Sequence, residues 1–425
     1  MSGHQDCGCQ EYMDLSRRQF LAGTGAAAAA LSVPAWLPKV AFAQHFSSAR
    51  DVMVSIFLRG ASDGLTICVP HGEQAYYDAR PNFLAIPRPD SGDENRAIDL
   101  DGFFGFPQPL GVLMDAYNDG NLLIVHASGS QDPSRSHFDA QRFMEVGKPR
   151  DATLGSGWLG RHLATIPPKD PEALIRGIGV GFGLQKTLQG GPNTLPVPDM
   201  GNYGLRGNPE TEKERQDWIE AAYADAEEQL RDAATNAIAT IDLLEAIDFV
   251  NYQPSGGATY PNSPFGYSMK STAALLKADV GIEAVHMDKG GWDTHNNQGV
   301  FGGAMFNLMT DLAGAISAFH TDMFTDDRTD FTLVCMSEFG RVVAENGSQG
   351  CDHGHGNAML VMGASITGGR VLTEWPGLEP EERYQGRDLQ VTIDYRDILA
   401  EIVQNRLDNP NLDIVFPTTR PPSEA

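Results

Sequence analysis

Short apolar runs alternate along this chain with helical stretches, and that alternation limits the fold more than any other feature. "DVMVSIFL" (51–58), "NLLIVHA" (121–127), "ALIRGIGVGF" (173–182), "GIEAVHM" (281–287) and "FTLVCMS" (331–337) are short and rich in β-branched and apolar residues, as buried strands are. "SHFDAQRFMEV" (136–146), the charged stretch 209–250, and segments near 264–278, 300–322 and 394–407 carry helical patterns. "AMLVMGA" (358–364) is a further apolar run. Strands separated by helices call for a mostly parallel sheet covered on both faces, since a parallel crossover needs a helix-length connection. The expected class is therefore α/β, a largely parallel sheet between helical layers. The glycines at 177–183 do not open a helix, which excludes a dinucleotide-binding loop there.

The first 43 residues stand outside this pattern. "LSRRQFLAGTGAAAAALSVPAW" (15–36) has paired arginines and a weakly apolar Ala/Gly-rich run, and "AFAQ" (41–44) supplies a small-residue cleavage site. This is the layout of an export signal, with cleavage expected after Ala43. The alternative, a retained membrane anchor, needs roughly 20 apolar residues without interruption, and Gly, Thr, Ser and Pro interrupt this run. "SRRQFL" resembles the twin-arginine export motif, which implies the twin-arginine export machinery as a partner, a folded substrate, and a periplasmic or extracellular destination. Residues 44–425 are expected to form one domain, with 205–260 as a helical insertion and no stable membrane span.

Removing 1–43 takes away three basic and three acidic residues, so the formal charge of −25 remains on the mature chain. That charge argues against nucleic acid as a partner, because phosphate backbones are met with basic patches. A protein this acidic that handles anions must gather its cations locally. Cys68, Cys335 and Cys351 remain after the signal, too few for a disulfide framework.

Sites in open α/β sheets form beyond the carboxyl ends of the strands. The loops that follow the strands carry Arg59 and Asp63; Ser134, Ser136 and His137; Asp293 and His295; and Arg341, Asp352, His353 and His355. Carboxylates and imidazoles in this density suit divalent ions such as zinc, manganese or magnesium. In "WDTHN" an i, i+2 spacing lets Asp293 and His295 point the same way from an extended loop. In "CDHGHGN", Asp352 and His353 diverge, as two ligands serving two ions would.

In order and spacing, "LRGASDGL", "SRSHFDAQRFMEVG", "GWLGRHL", "GWDTHNNQ" and "SEFGRVVAENGSQGCDHGHGNAMLVMG" resemble an exported bacterial family known as domain of unknown function 1501. That family is grouped with the alkaline phosphatase and sulfatase superfamily. The resemblance implies an alkaline phosphatase-like three-layer sandwich and a pair of divalent ions. Carried over, Asp63 would be the ligand after the first strand, Asp293 and His295 those of the third loop, Asp352 and His353 the adjacent pair, and His355 the later histidine. The third motif reads Asp-x-His here, where the superfamily usually has Asp-x-x-x-His. Gln131 stands where sulfatases carry the residue that becomes formylglycine, which speaks against that chemistry.

The same resemblance places a nucleophile at the start of a helix. Ser136 fits that position, where backbone N–H groups and the helix dipole favour an anion, and Ser134 is the alternate. His137 would act as acid or base on the leaving group, and Arg59 and Arg341 would hold the anion's oxygens. The function expected is a metal-dependent hydrolase or transferase of a small-molecule or polymer-linked phosphate or sulfate ester. The alternative is a non-catalytic binding or assembly protein on the same fold, with a structural or decayed metal site.

Overall fold

A computed structural model describes residues 50–417. The signal and its cleavage site lie outside the described residues. Nine strands form the main sheet: β1 (Val52–Leu58), β2 (Leu122–Gly129), β3 (Gly177–Val180), β4 (Thr194–Pro196), β5 (Ala284–Lys289), β6 (Phe331–Ser337), β7 (Asn357–Met362), β8 (Arg370–Leu372) and β9 (Ile393–Asp394). Their order is β8–β2–β7–β6–β1–β5–β3–β4, with β9 also paired to β2. The expected α/β class is what the chain adopts. Strand β5 starts three residues later than the pattern suggests, because Gly281 turns the chain at φ +81° just before it.

Alternate residues of β1 enter two separate cores. Val52, Val54, Ile56 and Leu58 pack under the helices Pro264–Ala278 and Ala304–Thr325, while Met53 and Phe57 pack under Trp158–Thr165 and Tyr395–Asn405. A strand buried on both faces reads as a continuous apolar run, which is why "VMVSIFL" shows no alternation. The sheet thus lies between two helical layers. The charged stretch 209–250 forms helices Glu212–Tyr223 and Glu228–Glu245, with Leu244 and Phe249 reaching the core and Trp218 exposed. Among the described residues no helix is long and apolar enough to cross a membrane.

All ladders of the main sheet are parallel except those of β7, which runs antiparallel to both β2 and β6. Residues 338–356 form no helix between β6 and β7, so the chain has no crossover with which to return in parallel. It turns back instead, and the whole 338–356 loop stays at the edge where β1, β2, β5 and β6 end.

Glycines let that loop fold tightly on itself and on its neighbour. A Cβ at Gly354 would lie 2.3 Å from the Arg341 carbonyl oxygen, and one at Gly350 would lie 2.4 Å from that of His295. The Gly354 N–H donates to the Gly340 carbonyl and the Gly340 N–H to that of His355. Glycine spacing in "GCDHGHGN" is therefore explained by close backbone approach, which delivers His353 to the sheet edge.

Candidate metal centre

Three imidazoles converge on Asp293 at this edge. His137 is the first residue of helix α1 (His137–Glu145), which follows the loop after β2; Asp293 and His295 follow β5; His353 comes from the 338–356 loop. The His295 and His353 Nε2 atoms are 2.9 Å apart, and they stand 3.0 and 3.1 Å from Asp293 Oδ1. His137 Nε2 lies 3.5 Å from Asp293 Oδ2 and has no hydrogen-bond partner. His137, Asp293 and His353 each offer a ligand atom within 4.8 Å of the others, and they form the one such group among the described residues.

The other ring nitrogens settle the tautomers. His137 Nδ1 is 2.7 Å from Glu338 Oε1, His295 Nδ1 is 3.0 Å from Asp352 Oδ1, and His353 Nδ1 is 2.9 Å from the Arg135 carbonyl. Carbonyl and carboxylate oxygens only accept, so each Nδ1 carries the proton. Each neutral ring then turns an Nε2 lone pair toward Asp293. Lone pairs meeting at about 3 Å with no proton between them repel, and a single proton can bridge only one pair of them. A divalent ion satisfies them together: ligand atoms bound at ~2.1 Å and at right angles stand about 3 Å apart. Histidines held through Nδ1 by a carboxylate or carbonyl are also what metal sites use to fix ring orientation. The donor set fits a metal.

Electrostatics keep the ligand atoms available. Burial alone would raise the Asp293 pKa, but the Arg341 guanidinium and the imidazoles around it outweigh it and hold it at about 2. Burial pushes His353 below its ordinary value, which favours the neutral ring. At His137 the balance runs the other way: the Glu338 hydrogen bond raises its pKa, which favours the protonated ring, so a bound ion there would have to displace that proton. For Glu338, burial is again outweighed, here by hydrogen bonds from His137 and Gln141, and its pKa is lowered.

Several residues expected in the site are engaged elsewhere. Asp63 is 1% exposed and spends its carboxylate on Arg80 (2.7 and 3.0 Å), Thr66 (2.7 Å) and Gln298 (2.8 Å), so it is a buried ion-pair partner and not a ligand. His355 stacks on Tyr384 with ring centroids 4.3 Å apart and lies outside the cluster. Asp352 serves as the acceptor that orients His295. With Asp63 and His355 so placed, a second ligand group for a pair of ions is not found among the described residues.

The two arginines expected to hold the anion are also occupied. Arg59 is clamped by Asp288 and Glu145 and bonds Gln141. Arg341 is buried and donates to the carbonyls of Gly60, Ala61, Trp292 and Cys351 as well as to Asp293. It knits the β1, β5 and β6 loops together, so Arg341→Met is expected to lower stability by about 3 kcal/mol in urea denaturation, with several buried acceptors left unpaired. Ser136 is the N-cap of α1 without using its hydroxyl as a cap, whereas Ser134 Oγ accepts from the Ser136 N–H at 3.2 Å.

Glu338, 1% exposed, is a site residue that the pattern placed in the loop after β6 but gave no role. Its Oε1 accepts from His137, from Gln141 and from the Gly60 N–H. An acidic residue placed directly after the buried strand "FTLVCMS" was the available signal.

A sequence profile described as "Protein of unknown function (DUF1501)" matches residues 124–407, more than half of the chain. The chain belongs to this family. Residues 14–34 match the twin-arginine translocation pathway signal sequence, so this member of the family is exported across the cytoplasmic membrane. No match was found among curated proteins. Solved structures similar to the chain include a protein of the alkaline phosphatase superfamily from Vibrio parahaemolyticus, at 12% identity over 87% of this chain and 72% of that one, TM-score 0.33. A sulfatase from Pseudoalteromonas sp. has 9% identity over 86% and 68%, TM-score 0.34. The alkaline phosphatase of the Antarctic bacterium TAB5 has 10% identity over 77% and 95%, TM-score 0.29. At these TM-scores the likeness says nothing of the site.

Proposed function

We propose that this exported protein is a metal-dependent hydrolase or transferase of a phosphate or sulfate ester, free or polymer-linked. One divalent ion would be held by His137, Asp293 and His353, whose ligand atoms group within 4.8 Å, with His295, 3.0 Å from Asp293 Oδ1, closing in as the third nitrogen. The observation that carries this reading is the convergence of His295 and His353 Nε2 on Asp293 Oδ1, with His137 Nε2 beside them lacking any hydrogen-bond partner. Three nitrogens and one carboxylate oxygen suit zinc first, with manganese and magnesium behind it. Such an ion would supply Lewis-acid polarisation of an ester oxygen.

The chain's own residues would do the rest. Ser136 precedes His137 at the start of α1, where the free N–H groups of the first turn favour negative charge. Its hydroxyl is the nucleophile in this reading, and Ser134 is set aside because its oxygen already receives the Ser136 N–H. Glu338 and Asp352 hold His137 and His295 in register. In this reading His137 is a ligand, not the free acid or base its position suggested.

Ser136→Ala is expected to retain its metal and to lose turnover of aryl phosphate or aryl sulfate by a factor on the order of 10³ or more. Metal retained with turnover unchanged contradicts the role of Ser136. Metal bound in a wild-type chain that turns over no ester favours a structural ion instead.

A further inference from the structure

Two other arginines share one carboxylate beside the cluster. Asp388, whose side chain is fully buried, accepts from Arg135 Nε at 3.0 Å and Nη2 at 2.5 Å, and from Arg387 Nε at 3.0 Å. Arg135 Nη2 also donates to Gln385 Oε1 at 3.0 Å. Both residues grip His353: the Arg135 carbonyl accepts from its Nδ1, and Arg387 Nη2 donates to its carbonyl. Neither Nη1 has an acceptor among the described residues, and the two side chains are 25% and 47% exposed.

The other arginines nearby differ in charge balance. Arg59 faces two carboxylates, Arg80 has Asp63, and Arg341 has Asp293. Arg135 and Arg387 together have only Asp388, which leaves one positive charge over at this point of a chain with formal charge −25. Asp352, whose carboxyl is lowered chiefly by its His295 hydrogen bond with a smaller contribution from Arg387, is the nearby acid that offsets it in part. A guanidinium with its Nε edge fixed and its Nη1 free presents oriented donors to an oxygen, which a flexible ammonium cannot do.

We infer that Arg135 and Arg387 hold the non-bridging oxygens of the phosphoryl or sulfuryl group at this site. The inference rests on the ester-hydrolase reading and replaces Arg59 and Arg341 in the role of anion holders. Asp388 is the positioning residue: it accepts from both guanidiniums and fixes the Nε edge of each.

Calorimetric titration of inorganic phosphate, and separately of inorganic sulfate, into the mature chain tests this, with metal content measured on the same samples. Arg387→Ala is the first variant, since its side chain is half exposed and Asp388 keeps Arg135. It is expected to bind the preferred anion roughly 10- to 100-fold more weakly with its metal unchanged. Arg387→Lys, which keeps the charge but not the fork, is expected to fall between the two and carries the test should the alanine variant not fold. Whichever anion binds more tightly identifies the ester class. Equal affinity in wild type and variants, or no binding of either anion by wild type, overturns the inference whatever the metal content. Binding that depends on Arg387 in a chain without metal supports the arginine pair and defeats the metal-centre reading.

Discussion

Arg80→Met is expected to lower the unfolding free energy by roughly 3–5 kcal/mol, a large share of the roughly 5–15 kcal/mol that an ordinary domain has. Arg80 and Asp63 are both essentially without exposed surface, and their bidentate contact sits between β1 and the 338–356 loop. Arg80 Nε and Nη2 also donate to the Val343 and Val342 carbonyls. Removing the guanidinium strands a carboxylate in the interior, where an unpaired charge costs far more than the pair contributes. The double variant Arg80→Met/Asp63→Leu is expected to regain a good part of the loss, because neither charge then remains buried alone.

The same pair gives a pH signature. Burial would raise the Asp63 pKa, but Arg80 overrides it and holds the carboxyl below its ordinary value. A group depressed in the folded state contributes its stability fully above its unfolded pKa and loses it as pH falls through the folded one. The stability gap between wild type and Arg80→Met is therefore expected to be widest at neutral pH and to narrow steadily on acidification, since the stranded carboxyl of the variant takes up its proton at higher pH than the paired one of wild type. Urea denaturation at several pH values measures this; a gap that does not change with pH contradicts the pairing.

His353→Ala is expected to weaken divalent metal binding at least about 100-fold, close to 3 kcal/mol. His353 contributes one of the converging Nε2 atoms and its ring is partly exposed, so the fold should survive its loss. Glu338→Gln, which removes the charge that fixes His137, is expected to cost roughly 10- to 100-fold. His355→Ala is the discriminating control. Its ring stacks on Tyr384, so metal affinity should be unchanged, although its sequence position beside His353 suggests the opposite. Chelator competition on the three variants measures all of this.

The central strands were legible because they are buried on both faces and show as unbroken apolar runs, "VMVSIFL" and "FTLVCMS" above all, whereas the short, half-buried β4 and β8 were not. The reversal of β7 was not, since "AMLVMGA" looks the same in either direction and only the helix-free 338–356 loop sets it. Site residues divide the same way. Asp293, His295 and His353 stood out through spacing in loops that end at one edge. The engagement of Asp63 was not legible, because its partner Arg80 lies 17 residues on and nothing local signals that the two will meet. Arg341 was expected to hold an anion's oxygens, yet it is the cross-link among the loops, a role fixed only by tertiary packing. The participation of His137 depends on how the loop after β2 enters α1, which spacing does not encode.

Elemental analysis of the mature protein, purified without chelators, tests the central claim most directly. Close to one divalent ion per chain, absent from His353→Ala and present in His355→Ala, is the predicted result. A wild-type chain that holds no ion, and takes up none when zinc, manganese or magnesium is supplied, would mean that protons alone keep the converging nitrogens apart, and the metal centre would be wrong.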